Sequence, residues 1–386
     1  MTVVDLDLTD PEVLRDPTAA YGRARELSPL ARMSVPGMAP MWAVTRYEEA
    51  RAMLADPRFE LSEESFAFRP EVPEHCKAYL RTMQEMNGRE HTRLRRRVAP
   101  AFTPRRAHQF RPRIERAVRR LLDALPGEPV ELVEHFARPL PMDVICELVG
   151  IPESDRPQWR SHGAAVAAGH GQKLTEAVPA IIAGAEAAVA ARRAEPADDL
   201  VTDLLRAEDQ LDDTEIVTLI WNVVLAGQVP TNLIANAVAA LLDHPDQLAA
   251  LRADPGLMPS AVEELMRWCG PQLLTVPRFA REDVEIGGIP VPEGAMVTAV
   301  MASANRDPRV FDDPERLDLR RDAARHLGFA HGPHFCLGAS LARVETEVAL
   351  AGLLRRFPGL AAAGEAQRSP DPGTARLTAL SVTGLG

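Results

Sequence analysis

The chain is almost without lysine. Only Lys77 and Lys173 occur among 386 residues, so its basic charge comes from arginine, while Ala and Pro are abundant. That bias marks a GC-rich bacterial genome and carries no chemistry. Cysteine is scarce too: Cys76, Cys146, Cys269 and Cys336 lie far apart and form no C-x-x-C pair. Such spacing excludes a disulfide scaffold and an iron–sulfur cluster, and fits a reducing cytosol. Positive net charge is lacking; at -11 the chain does not read as a nucleic-acid binder. Nowhere do eighteen apolar residues run together, and Met1 to Asp10 mixes apolar residues with acids and has no basic start. Neither a membrane span nor a signal peptide is therefore expected, and the expected location is cytoplasmic. No glycine fingerprint for a dinucleotide follows a strand, so electrons for any redox chemistry must come from outside.

With 46% hydrophobic residues the chain can bury a large core. Pro and Gly are spread throughout, without a linker or an internal repeat, which predicts one domain spanning 1–386. Apolar spacing predicts a mainly α protein with a small β region. Helices are expected at 47–55, 105–124, 214–242 and 339–353. Strands are expected at 30–33, 41–45, 273–279, 284–289 and 296–302, and a hairpin in the tail at 377–383.

The most informative stretch runs from Phe329 to Arg343. Gly332 and Pro333 forbid a regular element before Cys336, and helical spacing begins at Ala339. Cys336 therefore sits at a helix start, where loop N–H groups and the helix dipole favour a thiolate. A lone Cys is ordinarily a small buried hydrophobe. Here, however, Phe329, Gly332, Cys336 and Gly338 match F-x-x-G-x-x-x-C-x-G, and Ala339 to Arg343 also fits. The segment closely resembles the haem-ligating loop of the cytochrome P-450 family. Ala330 stands where bacterial members usually have Gly, so its backbone is expected to avoid positive φ.

Further motifs follow in the family's order. His91 and Arg95 match an H-x-x-x-R whose side chains bind haem propionates, and Arg278 and His334 match two further propionate residues. Glu264 and Arg267 match E-x-x-R and, with Arg321, imply a buried charge network that positions the Cys loop. In the long helix, Ala226-Gly227-Gln228-Val229-Pro230-Thr231 resembles A-G-x-[D/E]-T-T, but Val229 replaces the acid and Pro230 the first hydroxyl. Pro230 has no N–H, so a kink is expected, with the carbonyl of Ala226 bare beside Gly227. Thr231 would supply the hydroxyl and Gln228 an amide.

The resemblance implies haem b, iron protoporphyrin IX, between that helix and the Cys336 loop, with Cys336 on iron and Phe329 and Gly338 shaping the loop around it. The loop 61–73 would cap the cavity, with Phe66 and Phe68 as candidates to line it, and the segments 156–170 and 173–193 would roof it, loosened by Gly163, Gly169 and Gly171. The basic face carrying Arg93, Arg96 and Arg97 suits an acidic, ferredoxin-type electron donor. The implied activity consumes O2 and two electrons to oxidise a small molecule or short peptide in specialised metabolism, most simply by hydroxylation. Oxidative cross-linking of aromatic side chains, a non-catalytic recruitment protein, and a haem-based sensor or electron carrier are the alternatives.

Overall fold

The protein is described by a computed structural model covering residues 3–37, 39–66, 72–168, 172–207 and 211–385, with backbone alone at 165–168 and 172–174. The abundant prolines explain many helix starts, because proline fixes φ and lacks an N–H that the first turn would leave unpaired anyway. Helix α1 (Pro17–Leu27) begins this way behind Asp16, whose carboxylate accepts the Ala19 N–H. Next come α2 (Tyr47–Ala55), α3 (Gly88–Val98), α4 (Pro104–Asp123) and α5 (Pro139–Val149). After them run α6 (Arg156–Ala168), α7 (Gln172–Ala194), α8 (Asp213–Ala226), α9 (Pro230–Asp243), α10 (Met258–Cys269) and α11 (Ala339–Arg356). One apolar core runs through α4, α5, α8, α9, α10 and α11, with Ile114, Leu140, Ile220, Ile234, Leu265 and Leu353 fully buried.

The main sheet joins β1 (Val4–Asp7), β2 (Leu30–Ser34), β3 (Met41–Val44), β4 (Phe59–Glu60), β5 (Arg278–Ala280) and β6 (Met296–Ala299) in the order β1-β2-β3-β6-β5-β4. Its role at the site is to hold Arg278, paired opposite Val297. Two expected strands are trimmed. Only Arg278–Ala280 of 273–279 forms a ladder, since Pro277 has no N–H, and Leu273 and Leu274 donate instead to Gly373 O. Met296 to Ala299 is a strand, but Met301–Ala304 turns helical. The tail is not a hairpin: Leu377–Ala379 pairs with Gln367–Arg368, while Ser381–Thr383 pairs with Val130–Glu131 and Ala361–Ala362.

Helix α8 starts at Asp213, one residue before the expected 214, behind Asp212 as its cap. Asp212 accepts the Glu215 N–H and Glu215 returns a bond to the Asp212 N–H. Only Asp212 stands three residues before that glutamate, as this reciprocal cap requires. Together α8 and α9 are long and apolar enough to cross a bilayer by composition, yet 56% of their most apolar window is buried inside the protein. They are interrupted at Gly227–Val229, where the ladder tightens: Gln228 N–H donates to Leu225 O and Val229 N–H to Ala226 O. The Ala226 carbonyl is therefore satisfied. Thr231 N–H donates to Gln228 O, so the carbonyl of Gly227 has no backbone donor among the described residues.

Candidate active site

A cavity of about 480 Å³ lies between the α8–α9 break and the loop leading into α11. Its floor is the stretch around Cys336. Cys336 N–H donates to Phe329 O at 2.9 Å and Phe335 N–H to Gly332 O at 3.0 Å, curling the loop into a platform. Gly332 has φ +74°, and a Cβ there would strike Leu54 O at 2.6 Å, so both conformation and space require glycine. Ala330 sits at φ +59°, against expectation. Its N–H donates to Leu327 O at 2.7 Å, a turn that holds an alanine in the left-handed region at a cost of about 1 kcal/mol. At Gly338 a Cβ would meet nothing within 4 Å, leaving open space above the loop.

Cys336 faces the cavity. Burial pushes its thiol up, opposed by the Gly338 N–H and by the charges of Arg95 and Arg343. Cys146 and Cys269, by contrast, are driven to about 12 chiefly by burial. Phe329 packs beside Cys336 with the Arg343 guanidinium 4.5 Å from its ring centroid, and Arg343 is held by Glu263.

Along the same cavity Arg95, Arg278, His91 and His334 come together. Arg278 is 5% exposed and donates only to Leu54 O, at 2.8 Å; burial lowers its pKa to about 10. The His91 and His334 rings stack at 4.1 Å. Burial, with repulsion from His91, Arg278 and Arg95, brings His334 down to about 3. Arg95 donates to Phe335 O at 2.5 Å, and burial lowers its pKa. None of the four has a carboxylate partner among the described residues. Buried donors clustered without an acid are electrostatically unfavourable until an anion joins them. A thiol facing a roomy cavity edged by such donors fits a flat group bearing a metal and two carboxylates.

The floor is anchored from below. Glu264 takes a two-pronged bond from Arg267 at 2.6 and 2.8 Å and accepts the Arg321 Nε–H at 3.2 Å. Arg267 also donates to Asn305 O and Pro314 O, and Asn305 Oδ1 accepts the Leu327 N–H, two residues before Phe329.

The upper wall is neutral and largely apolar: Val223, Ala226, Gly227, Val229, Pro230 and Leu233, with Asn222, Thr275 and Gln84 as polar members. Ala226 and Gly227 thus line the cavity as expected, but Gln228 and Thr231 are not among its walls. The tightened turn rotates them off that face. Gln228 lies against α6, where a Cβ on Gly163 would meet its Oε1 at 2.3 Å. Gly163 therefore seats a side chain rather than loosening the roof; Gly169 and Gly171 lie outside the described residues. Gly227 is needed because a Cβ there would strike Ile145 at 2.5 Å. Phe66 lines the cavity, Phe68 lies outside the described residues, and nothing from 377–383 reaches it.

Among the wall residues that escaped the sequence reading are Asn222 and Glu345. Asn222 is one helical turn before Ala226, a spacing that could have revealed it. Glu345 is buried on α11 with Oε1 unpartnered, and burial raises the pKa of its carboxyl well above the usual carboxylate range. An acid three and four residues beyond the wall residues Ala342 and Leu341 was the available signal.

The family model described as Cytochrome P450 matches residues 256–381. The chain is 39% identical to the cytochrome P450 monooxygenase PikC of Streptomyces venezuelae, covering 98% of this chain and 94% of that protein. It is 38% identical to 6-deoxyerythronolide B hydroxylase of Saccharopolyspora erythraea, over 93% and 92% of the two chains. Among solved structures, the cytochrome P450 enzyme CxnD for C–S bond formation in chuangxinmycin biosynthesis superposes with a TM-score of 0.87 at 32% identity, over 99% of this chain and 97% of that one. The chain belongs to the cytochrome P450 family, as a bacterial monooxygenase whose cofactor is haem b held by a cysteine thiolate.

Proposed function

We propose that the protein hydroxylates a neutral, mostly apolar small molecule of bacterial specialised metabolism, with Cys336 as the thiolate on haem iron. The observation that carries the haem placement is the acid-free cluster of Arg278, Arg95, His91 and His334 beside Cys336. These four would neutralise the two propionates, Arg278 and Arg95 through charge-assisted bonds. Phe329 and Gly338 would shape the loop around the thiolate. When bound, haem would supply O2 activation, and the Cys336 thiolate would support it by donating electron density.

The remaining chemistry belongs to the wall. Val223, Val229 and Leu233 exclude water and bind apolar substrate surface, while Asn222 and Thr275 orient a hydroxyl or carbonyl on it. None of the residues that α8 and α9 contribute to the wall is a carboxylic acid that could relay a proton, because Val229 occupies the acid's position. Gly227 O can accept from a water, which would pass a proton onward; a polar group on the substrate would serve the same end. Thr231 and Gln228, facing away, would act only by shaping the turn.

A second reading, oxidative coupling instead of oxygen insertion, is favoured by the likeness to an enzyme of C–S bond formation and needs no change in these residues. The chain would work as one domain, its main core linking residues from Cys76 to Val382, and in the cytoplasm, in line with its bacterial relatives. A ferredoxin-type donor would dock on the basic face carrying Arg93, Arg96 and Arg97. The deciding experiment screens candidate ligands for a shift in the haem absorption spectrum and follows each with turnover. Oxygenated product supports hydroxylation; coupled product without added oxygen supports the second reading.

A further inference from the structure

Helix α10 carries two adjacent acids that serve different ends. Glu264 anchors the floor through Arg267 and Arg321. Glu263, roughly 100° away around the helix, turns instead toward α11 and takes a two-pronged bond from Arg343, with Nη2 at 3.0 Å. Its second neighbour is His326, whose Nε2 lies 3.2 Å from Glu263 Oε2. His326 Nδ1 accepts the Gly328 N–H at 3.0 Å, which leaves the ring proton on Nε2, toward the carboxylate. Burial pushes the Glu263 carboxyl up, yet the bonds from His326 and Arg343 outweigh it and hold it down to about 2. Glu263 and Arg343 are therefore both ionised at neutral pH.

The pair faces the Cys loop. The Arg343 guanidinium lies 4.5 Å from the centre of the Phe329 ring, and the His326 ring lies 5.6 Å from the same centre. Phe329 O in turn accepts the Cys336 N–H at 2.9 Å. With side chains 30% and 19% exposed, Arg343 and Glu263 are shielded enough from water for their fields to reach the loop. Arg95 and Arg343 are the cations whose charge favours the Cys336 thiolate. Arg95 belongs to the propionate cluster, so Arg343 is the cation left to the sulfur.

We infer that Arg343, aimed by Glu263 and His326, is the counter-charge of the Cys336 thiolate and sets how readily haem iron accepts an electron. This rests on Cys336 as the iron ligand. One-electron reduction adds one negative charge to the haem–thiolate pair, which a nearby cation stabilises and a nearby anion opposes. Arg343 thus raises the reduction potential and Glu263 lowers it. Both are positioning residues, acting through the field at the sulfur.

The test is an equilibrium reductive titration of the purified haem protein with dithionite and mediator dyes, alongside the carbon monoxide spectrum of each variant. Arg343→Gln, which leaves Glu263 facing the loop, should lower the reduction equilibrium constant about tenfold, a shift of about 59 mV for one electron. Glu263→Gln, which keeps an acceptor oxygen for the guanidinium, should raise the constant severalfold. Arg343→Lys, with the charge but not the fork, should stay within about threefold of wild type, and the Arg343→Gln/Glu263→Gln double variant should return close to it. Shifts of one sign in both single variants, as a merely structural role predicts, or no shift in either, overturn the inference. Glu263→Gln carries the test alone if Arg343→Gln does not retain haem: an unchanged or lowered constant in it overturns the inference. An unshifted carbon monoxide band in wild type would overturn the ligand reading beneath it, and the inference with it; a red-shifted band with unmoved constants overturns the inference only.

Discussion

The floor and the upper wall of the haem cavity are built by opposite means. Below, position is fixed by charge: Glu264, Arg267 and Arg321 tie the chain leading to the Cys loop, while Arg278, Arg95, His91 and His334 remain without acids of their own. Above, position is fixed by shape, with Gly227 yielding to Ile145 and Gly163 to the amide of Gln228. Desolvated charge tolerates almost no displacement, whereas apolar packing accepts volume-conserving exchange. The floor can thus serve one unchanging cofactor while the wall adapts to a substrate.

The largest effect should come from breaking the floor. Arg267→Ala takes the two-pronged partner from the buried Glu264 carboxylate, leaving it Arg321 alone, and should cost about 3–5 kcal/mol in denaturant unfolding. A loss of only about 1 kcal/mol, the range of an exposed pair, would erase the contrast with the wall. Next is Arg278→Ala. Removing a charge-assisted bond worth about 1.5–3 kcal/mol should weaken haem retention roughly ten- to hundredfold, measured by haem transfer to a scavenger. Unchanged retention would place the propionates elsewhere.

Glu345 sharpens the comparison through pH. Its folded pKa lies above the unfolded value, so the folded state holds a proton that the unfolded chain releases. Stability is then fullest below about pH 4.5 and falls as pH rises toward the folded pKa. Glu345→Gln should raise the melting temperature at pH 8, with the advantage shrinking toward pH 4.5; equal melting curves at both pH values would show that the carboxyl is not buried as described. The smallest effects belong to the α8–α9 turn. Thr231→Ala should leave product formed per electron pair within about twofold, while Val229→Glu, which restores an acid on the wall, should improve that coupling. A collapse of coupling in Thr231→Ala would return the hydroxyl to the proton path.

The floor was legible in the sequence because its chemistry is written as spacing: His91 with Arg95, Glu264 with Arg267, Phe329 with Gly332, Cys336 and Gly338. Such patterns survive without knowledge of packing. Ala330 was misread because left-handed backbone disfavours alanine by only about 1 kcal/mol, which one turn bond offsets. Gln228 and Thr231 were assigned to the wrong surface because the tightened turn before Pro230 resets helical phase, and that reset depends on where Gly227 meets Ile145. The strands at 377–383 chose partners at Gln367–Arg368 and Val130–Glu131, a long-range selection that alternation alone does not encode.

The central claim is that Cys336 binds haem iron as a thiolate. The most direct measurement is the absorption spectrum of the reduced protein with carbon monoxide, in wild type and in Cys336→Ser. The account predicts the red-shifted band characteristic of thiolate-ligated haem in wild type and its loss in the variant, with haem still bound. An unshifted band in wild type, or a red-shifted band that survives in Cys336→Ser, would contradict it.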